Sequence, residues 1–154
     1  MGELLPPYSK EQLVQRFAPE DLPVDTLHHI TTLLDPEPVV FPAGACIMLQ
    51  GEPGDSMYFI AEGTVEVTKA LLAPGSPFPP VKLAELSAGD VIGEMALVNE
   101  EPRSATVTAL DEVTAYRLSI DSWRYLEAFH PGLAAKIREV AERRGNELAG
   151  MGNV

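Results

Sequence analysis

The sequence predicts an α+β fold that is mainly β, in which a sandwich or jelly roll is flanked by helices. Three observations indicate this fold class. Short β-type runs separated by glycine turns fill residues 38–118, helical periodicity precedes them, and helical periodicity returns after Leu118. With 154 residues, the chain has the length of one domain, 1–154, and can bury a substantial core.

The first part of the chain, residues 8–37, is predicted to form two helices. Ser9 is a candidate N-cap for the first helix, which Pro19 ends. Pro23 then opens a second helical segment. The apolar face of that segment is predicted to contain Val24, Leu27, Ile30 and Leu34.

Residues 38–120 are predicted to form the strands. The runs are PVVF, ACIML, MYFIA, TVEVTK, VKLAEL, SATVTAL and VTAYRLS, and alternation is clearest in Thr64–Lys69. Cys46 is the single cysteine, so an internal disulfide is excluded, and we expect a small core side chain there. Residues 71–80 hold four prolines, which exclude a central strand and predict a mobile loop or, alternatively, a docking surface.

Residues 121–150 are predicted to form two C-terminal helices. Ser119 or Asp121 caps the first of them, and Pro131 suits the first turn of the last one. The apolar side chains expected to pack on the roll or to form the stripe of the last helix are Trp123, Leu126, Phe129, Ile137, Val140, Ala141 and Leu148.

Composition excludes several classes of function. The net charge is −12, and without a basic stripe the chain is not expected to bind nucleic acid. No apolar run approaches the length of about 20 residues that a membrane span needs. We therefore expect no membrane span, and we expect a cytoplasmic location. Histidines lie outside the predicted strands, so neither a metal site nor an enzyme is expected. The apolar stripe of the last helix is too short for a coiled coil, and we expect a monomer.

The segment Val91–Val107, VIGEMALVNEEPRSATV, carries the predicted site. Gly93 and Glu94 open a short apolar helical run, and the helix start exposes N–H groups that attract anions. Arg103, nine residues after Glu94, supplies a planar fork for phosphate oxygens. A carboxylate only accepts hydrogen bonds, which suits a sugar hydroxyl. Together these residues predict a pocket for a ribose that carries a single phosphate charge.

The pattern GE-x-A-L…PRSATV resembles the phosphate-binding cassette of cyclic nucleotide-binding domains. Such domains occur in catabolite activator protein, in regulatory subunits of cyclic-AMP-dependent kinase and in cyclic-nucleotide-gated channels, and the nearest likeness is the domain of a bacterial cyclic-nucleotide-gated potassium channel. GEPGDSMYFIAEGTVEV at 51–67 resembles the family's G-x-x-G-D…G-x-V-x-V signature. Positive φ at tight turns is sufficient to explain Gly51, Gly54 and Gly63 without ligand contact. The resemblance implies an antiparallel eight-stranded β-roll with N-terminal helices and two C-terminal helices.

The resemblance also implies a role for each cassette residue. The cyclic phosphate would contact Arg103, Ser104 and the N–H group of Ala96, while Glu94, beside Gly93, would accept a hydrogen bond from the ribose 2′-hydroxyl. From the residues alone, Glu94 has a second interpretation, as an acid at a helix start that interacts with the helix dipole.

Further positions would form the base pocket, the hinge and the lid. Met95 and Leu97 belong to the cassette helix, and Leu97 would be a hinge contact with the helices that follow. Arg143 or Arg144 would cover the purine through a cation–π contact, although either could equally be a charge that favours the helix dipole. The candidate walls of the base pocket, which could equally be plain core, are Val91, Ile92, Val65 and Leu83.

The predicted function is that of a cyclic nucleotide sensor, with cAMP preferred, whose last helices move when ligand binds. Ser104 could also hydrogen-bond a syn guanine, so cGMP remains a candidate ligand. The alternatives are a cyclic-nucleotide-binding fragment of a larger channel or regulator, and an interaction module of the same fold that binds no ligand. A protein effector would receive the signal of a stand-alone module.

Overall fold

The computed structural model describes residues 7–71 and 77–152, with side chains described as far as residue 144. Its helices are α1 (Lys10–Phe17), α2 (Val24–Thr31), α3 (Glu94–Asn99), α4 (Ile120–Phe129) and α5 (Pro131–Gly152). Its strands are β1 (Val39–Phe41), β2 (Cys46–Met48), β3 (Ser56–Glu62), β4 (Thr64–Lys69), β5 (Val81–Ser87), β6 (Val91–Ile92), β7 (Thr106–Ala109) and β8 (Val113–Ser119).

The strands form two four-stranded antiparallel sheets with the orders β1-β8-β3-β6 and β2-β7-β4-β5. This confirms the predicted β-roll with N-terminal helices and two C-terminal helices. The strand β6 was not predicted, because two residues are too few to show alternation. It pairs with the middle of β3, where Ile92 lies opposite Tyr58 and Val91 opposite Phe59.

The two N-terminal helices begin largely as their sequences predict. The hydroxyl of Ser9 accepts a hydrogen bond from the backbone N–H of Gln12 at 3.1 Å, and the side-chain oxygen of Gln12 accepts one from the N–H of Ser9 at 2.8 Å. This reciprocal pair is a capping box. The prediction that Val24 is part of the apolar face of α2 was wrong, because Val24 is 80% exposed. As the first residue of the helix, it has no preceding turn against which to pack.

The apolar side chains divide into two core clusters that share sheet β1-β8-β3-β6. Strand β3 directs Met57 and Phe59 towards α1, α2, α4 and α5, and it directs Ile60 into the roll, where the second sheet covers it. The same division separates two consecutive residues of β6. Val91 belongs to the cluster on the helix side, and Ile92 belongs to the cluster inside the roll.

Two further predictions of burial were wrong. Cys46 is exposed, whereas Met48 is buried. The register of β2 against β7 shifts between these two residues, so they do not share a face of the strand. Phe129 is 65% exposed, whereas Trp123 and Leu126 are buried. Each helical residue advances by about 100°, so three residues fall about 60° short of a full turn. After two such steps, Phe129 lies about 120° around the helix from Trp123.

Parts of two predictions lie outside the described residues. They are the middle of the proline loop, 72–76, and the side chain of Leu148 in the last helix. No helix among the described residues has the length and apolar character that a bilayer crossing requires.

Candidate functional site

A cavity opens between the sheet β2-β7-β4-β5 and helix α3. Its volume of about 140 Å³ is about ten times the 10–15 Å³ that one water molecule needs, so an organic ligand can enter it. The residues that line it are Met48, Val67, Leu83, Ala84, Leu86, Ile92, Gly93, Glu94, Met95, Ala96, Arg103, Ser104, Ala105, Val107 and Arg144. One wall is therefore apolar and comes from the sheet, and the opposite wall carries the charged residues.

Gly93 is the residue that allows β6 to turn directly into α3. Its φ is +81°, a conformation that glycine adopts without strain. A Cβ atom at this position would lie 2.5 Å from Cε of Met48 and 2.6 Å from Nη1 of Arg103. Gly93 is therefore needed both for the turn and for the close approach of the Arg103 side chain.

Arg103 lines the cavity and is fixed there by hydrogen bonds of its backbone and side chain. Its backbone N–H donates to the carbonyl of Glu52 at 2.8 Å, and its carbonyl accepts from the N–H of Gly51 at 2.8 Å. The guanidinium donates from Nη1 to the carbonyl of Gly93 at 3.1 Å, and the residue is only 9% exposed. Among the described residues, no carboxylate lies within 4.0 Å of its nitrogens.

The pKa of Arg103 reflects this burial. Removal from water lowers the pKa of the guanidinium, and the surrounding groups Tyr58, Asp55 and Glu94 act in the opposite direction. Arginine stays protonated in proteins, so a ligand with a negative charge would relieve the cost of burying this cation.

Gly54 shapes the same site from the loop between β2 and β3. A Cβ atom at Gly54 would lie 2.4 Å from Cβ of Ala96 and 3.0 Å from Cζ of Arg103. The sequence-based explanation for the loop glycines holds for Gly51 and Gly63, whose φ values are +89° and +100°. It was wrong for Gly54, which is needed for close packing between the cassette helix and the arginine.

Glu94 lies at the start of α3 and is only 2% exposed. Its Oε1 accepts a short hydrogen bond from Nη1 of Arg144 in helix α5. The same nitrogen donates to the carbonyl of Val91 at 2.5 Å. Arg144 thus connects the last helix to the beginning of the cassette, whereas the neighbouring Arg143 is exposed.

The remaining cassette residues take distinct places. The hydroxyl of Ser104 faces the sulfur of Met95 at 3.5 Å, and both residues line the cavity. Ala96 is buried and also lines it. Leu97 points away from the cavity into the cluster on the helix side, which includes Ile137 of α5.

Comparison with known proteins identifies the family. Residues 38–128, more than half of the chain, match the cyclic nucleotide-binding domain. The chain belongs to the cyclic nucleotide-binding domain family. The resemblance seen in the cassette residues is thereby confirmed.

Relatives of this cyclic nucleotide-binding domain occur in larger proteins. It is 45% identical over 109 residues to a cyclic nucleotide-gated potassium channel of Rhizobium etli, covering 70% of this chain and 28% of the channel. It is also 45% identical over 74 residues to a cAMP-dependent protein kinase regulatory subunit of Dictyostelium discoideum, covering 48% of this chain and 22% of that subunit. The chain therefore spans about a quarter of the length of these relatives.

Solved structures share the fold. A cyclic nucleotide-binding domain from Methylobacillus flagellatus has a TM-score of 0.73 and 25% identity, and the match covers 92% of this chain and 81% of that one. The regulatory domain of Toxoplasma gondii PKA, solved with cAMP, has a TM-score of 0.69 and 27% identity over 90% of this chain and 49% of that one.

The structure places the candidate wall residues of this cyclic nucleotide-binding domain in two groups. Ile92 and Leu83 line the cavity. Val65 and Val91 do not line it, and both are buried in the core, as the alternative interpretation predicts. Val67, two residues after Val65 on β4, lines the cavity instead.

Several lining residues were not predicted, namely Met48, Val67, Ala84, Leu86, Ala105 and Val107. All but Ala105, which immediately precedes β7, come from four strands of one sheet. Strand alternation was therefore the available signal, but it does not show which inward positions face the cassette. No group of three metal-ligating side chains occurs in the part of the chain that the structure describes.

Proposed function

We propose that this cyclic nucleotide-binding domain binds a cyclic nucleoside monophosphate and prefers cAMP to cGMP. The observation that carries the proposal is the guanidinium of Arg103, which is buried beside the carbonyl of Gly93 and has no carboxylate within 4.0 Å among the described residues. An unpaired buried cation is unfavourable. A phosphodiester supplies one negative charge and oxygens that fit an arginine fork.

Other groups around the cavity support the same ligand. The first-turn N–H groups of α3, including that of Ala96, lack partners within the helix and suit phosphate oxygens. Glu94 is an acceptor for a ribose hydroxyl. The apolar wall of the sheet, which includes Val67 and Leu86, suits the face of a base.

The preference for cAMP depends on the polar residues near the base. Apart from the charged Glu94, Arg103 and Arg144, Ser104 is the polar side chain among the residues that line the cavity. A syn guanine would depend on this one hydroxyl, which is directed at the sulfur of Met95. Adenine does not need a hydrogen bond from the Ser104 hydroxyl.

The output of the domain is a movement of its last helices. Helix α5 supplies Arg144 to the cavity, and Leu97 of α3 packs in the same cluster as Ile137 of α5. Binding shifts such an equilibrium only to the extent that the ligand favours one arrangement. Contacts between the nucleotide and either helix provide that difference.

The context of the sensor is also part of the proposal. We place it in the cytoplasm because one cysteine in 154 residues indicates no reliance on disulfides. It acts either as a monomeric module on a protein effector or as the cyclic-nucleotide-binding part of a larger channel or regulator, as in its potassium channel relative.

Calorimetric titration with cAMP and cGMP tests the proposal. We expect cAMP to bind more tightly, and at 100 times Kd it should raise the unfolding free energy by about 2.7 kcal/mol. Arg103→Lys should weaken cAMP binding at least about tenfold, because lysine lacks the two-pronged donor. If Arg103→Ala bound cAMP as tightly as the parent, the anion site would be assigned incorrectly.

An interaction module that binds no nucleotide is the second candidate function. The contact between Arg144 and Glu94 favours it, because this contact satisfies the buried carboxylate from within the chain. Folded parent protein that showed no heat and no thermal stabilisation with either nucleotide would support this second function.

A further inference from the structure

Met95 brings a sulfur atom to the wall of the proposed nucleotide cavity. It is the second residue of α3, it lines the cavity and it is half-buried. The two other methionines whose side chains the structure describes are more enclosed, since Met48 is 5% exposed and Met57 is 0% exposed. Met95 is therefore the described methionine that solvent reaches most easily.

The cavity admits small polar molecules to this sulfur. Its volume of about 140 Å³ is about ten times what one water molecule needs, and hydrogen peroxide is only slightly larger than water. Peroxide converts a methionine thioether to a sulfoxide, which is polar and chiral where the thioether was apolar. Oxidation at Met95 would therefore place a new polar group in the wall of the ligand site.

The sulfur already has a hydrogen-bonding partner in the cavity. Sδ of Met95 accepts a hydrogen bond from the hydroxyl of Ser104 at 3.5 Å. Ser104 directly follows Arg103 and also lines the cavity, so its hydroxyl is a donor for the same bound anion. A thioether is a weak acceptor and a serine hydroxyl carries a single proton. A phosphate oxygen can therefore take this donor from the sulfur at little cost, but the hydroxyl serves only one acceptor at a time.

We propose that Met95 is an oxidation site at which hydrogen peroxide lowers the affinity of the domain for its cyclic nucleotide. The inference rests on the proposed function, because the affinity that changes is that of the same cavity. A lone pair of the sulfur attacks one peroxide oxygen, the O–O bond breaks and an S–O bond forms. The sulfur loses two electrons and the peroxide gains them. The second oxygen takes the proton of the transferred oxygen and leaves as water.

The sulfoxide changes what the neighbouring hydroxyl can do. Its oxygen carries a partial negative charge, accepts hydrogen bonds more strongly than the thioether did, and is attached to an atom 3.5 Å from the Ser104 hydroxyl oxygen. Ser104 then donates to Met95 in place of the phosphate, and the new dipole repels the incoming anion. Losing one hydrogen bond to a charged group corresponds to about tenfold in Kd. Because enzymes reduce methionine sulfoxide back to the thioether, this loss of affinity is reversible.

Peroxide treatment of the full chain, followed by peptide mass spectrometry and calorimetric titration with cAMP, tests this inference. Among the described methionines, Met95 should oxidise first and Met57 last. Saturating cAMP should slow the oxidation of Met95 but not that of Cys46, which is exposed and does not line the cavity. Treated protein should bind cAMP about tenfold more weakly than untreated protein, and a methionine sulfoxide reductase should restore the affinity.

Three variants assign the effect, and each is compared with itself before and after treatment. Met95→Leu has no sulfur at this position and keeps every other oxidisable residue, so treatment should leave its Kd for cAMP unchanged. In Cys46→Ser the loss of affinity should equal that of the parent. In Ser104→Ala the loss should be smaller, because the sulfoxide has no hydroxyl to bind. A thermal melt of each variant confirms that it is folded.

The outcomes separate the inference from the proposed function. The inference is overturned, and nucleotide binding stands, if Met95 does not oxidise ahead of Met48 and Met57 or if the treated parent binds cAMP as tightly as the untreated parent. A loss that persisted in Met95→Leu would assign the effect to another residue and would also overturn it. An equal loss in Ser104→Ala would overturn the role given to the hydroxyl. If the folded, untreated parent bound neither cAMP nor cGMP, the proposed function would be overturned together with the inference.

Discussion

Replacing Gly54 with alanine would place a methyl group between the two parts of the proposed phosphate site. The new Cβ would lie 2.4 Å from Cβ of Ala96 and 3.0 Å from Cζ and Nε of Arg103. Because non-bonded carbon atoms pack at about 3.5–4.0 Å, Gly54 and Ala96 would have to separate by at least about 1 Å. The first turn of α3 and the guanidinium could then no longer hold their present spacing.

The expected loss of affinity follows from this displacement. A hydrogen bond to a charged group contributes about 1.5–3 kcal/mol, and losing one such bond to the phosphate corresponds to about 10- to 100-fold in Kd. Overpacking should also lower the unfolding free energy by about 1–3 kcal/mol. Calorimetric titration with cAMP and thermal unfolding measure the two effects separately.

Gly44→Ala is the matched control. Gly44 has a φ of +86°, and a Cβ at this position would meet nothing within 4 Å. Alanine is strained there by about 1–2 kcal/mol, so stability should fall while Kd for cAMP stays unchanged. The reasoning is refuted if Gly54→Ala binds cAMP within about twofold of the parent, since 1.4 kcal/mol would already be tenfold.

Two other predictions concern titratable groups. Glu94→Gln should weaken cAMP binding less than Arg103→Lys does in the same titration, because the amide oxygen still accepts a hydrogen bond. A larger loss in Glu94→Gln would contradict this prediction. Burial, together with the nearby His29, lowers the pKa of His130. The unfolded chain therefore binds more protons below about pH 6.5, so the unfolding free energy should decrease as the pH falls through that value. Thermal melts between pH 5 and 8 should show a shallower decrease in His130→Gln, and an equal slope would exclude His130 as the cause.

Most of the strands could be predicted from the sequence because their patterns are local. Alternation and glycine turns mark seven of the eight strands, and Ser9 with Gln12 marks the start of α1. The errors at Cys46 and Phe129 arise from features that local patterns do not contain. One depends on a register shift against a distant strand, and the other depends on the drift of three-residue steps around a helix.

The site was predictable where it is contiguous in sequence. Gly93, Glu94 and Arg103 lie within eleven residues of each other, and their chemistry points to a phosphorylated sugar. Gly54 was misinterpreted because its importance depends on the atoms that pack against it from α3. The contact between Glu94 and Arg144 depends on the path of α5 across fifty residues, which composition and periodicity do not specify.

Strand β6 joins the two halves of the molecule through adjacent residues. Val91 is fixed among the helices, Ile92 is fixed inside the roll, and Gly93 follows at once with the cassette. Packed interiors resist gradual deformation, so a displacement of this short strand is transmitted to both interiors together. The N-terminal helices α1 and α2 pack on the helix side of this sheet, far along the chain from the cavity. We therefore expect nucleotide binding to displace α1 and α2 in addition to α5.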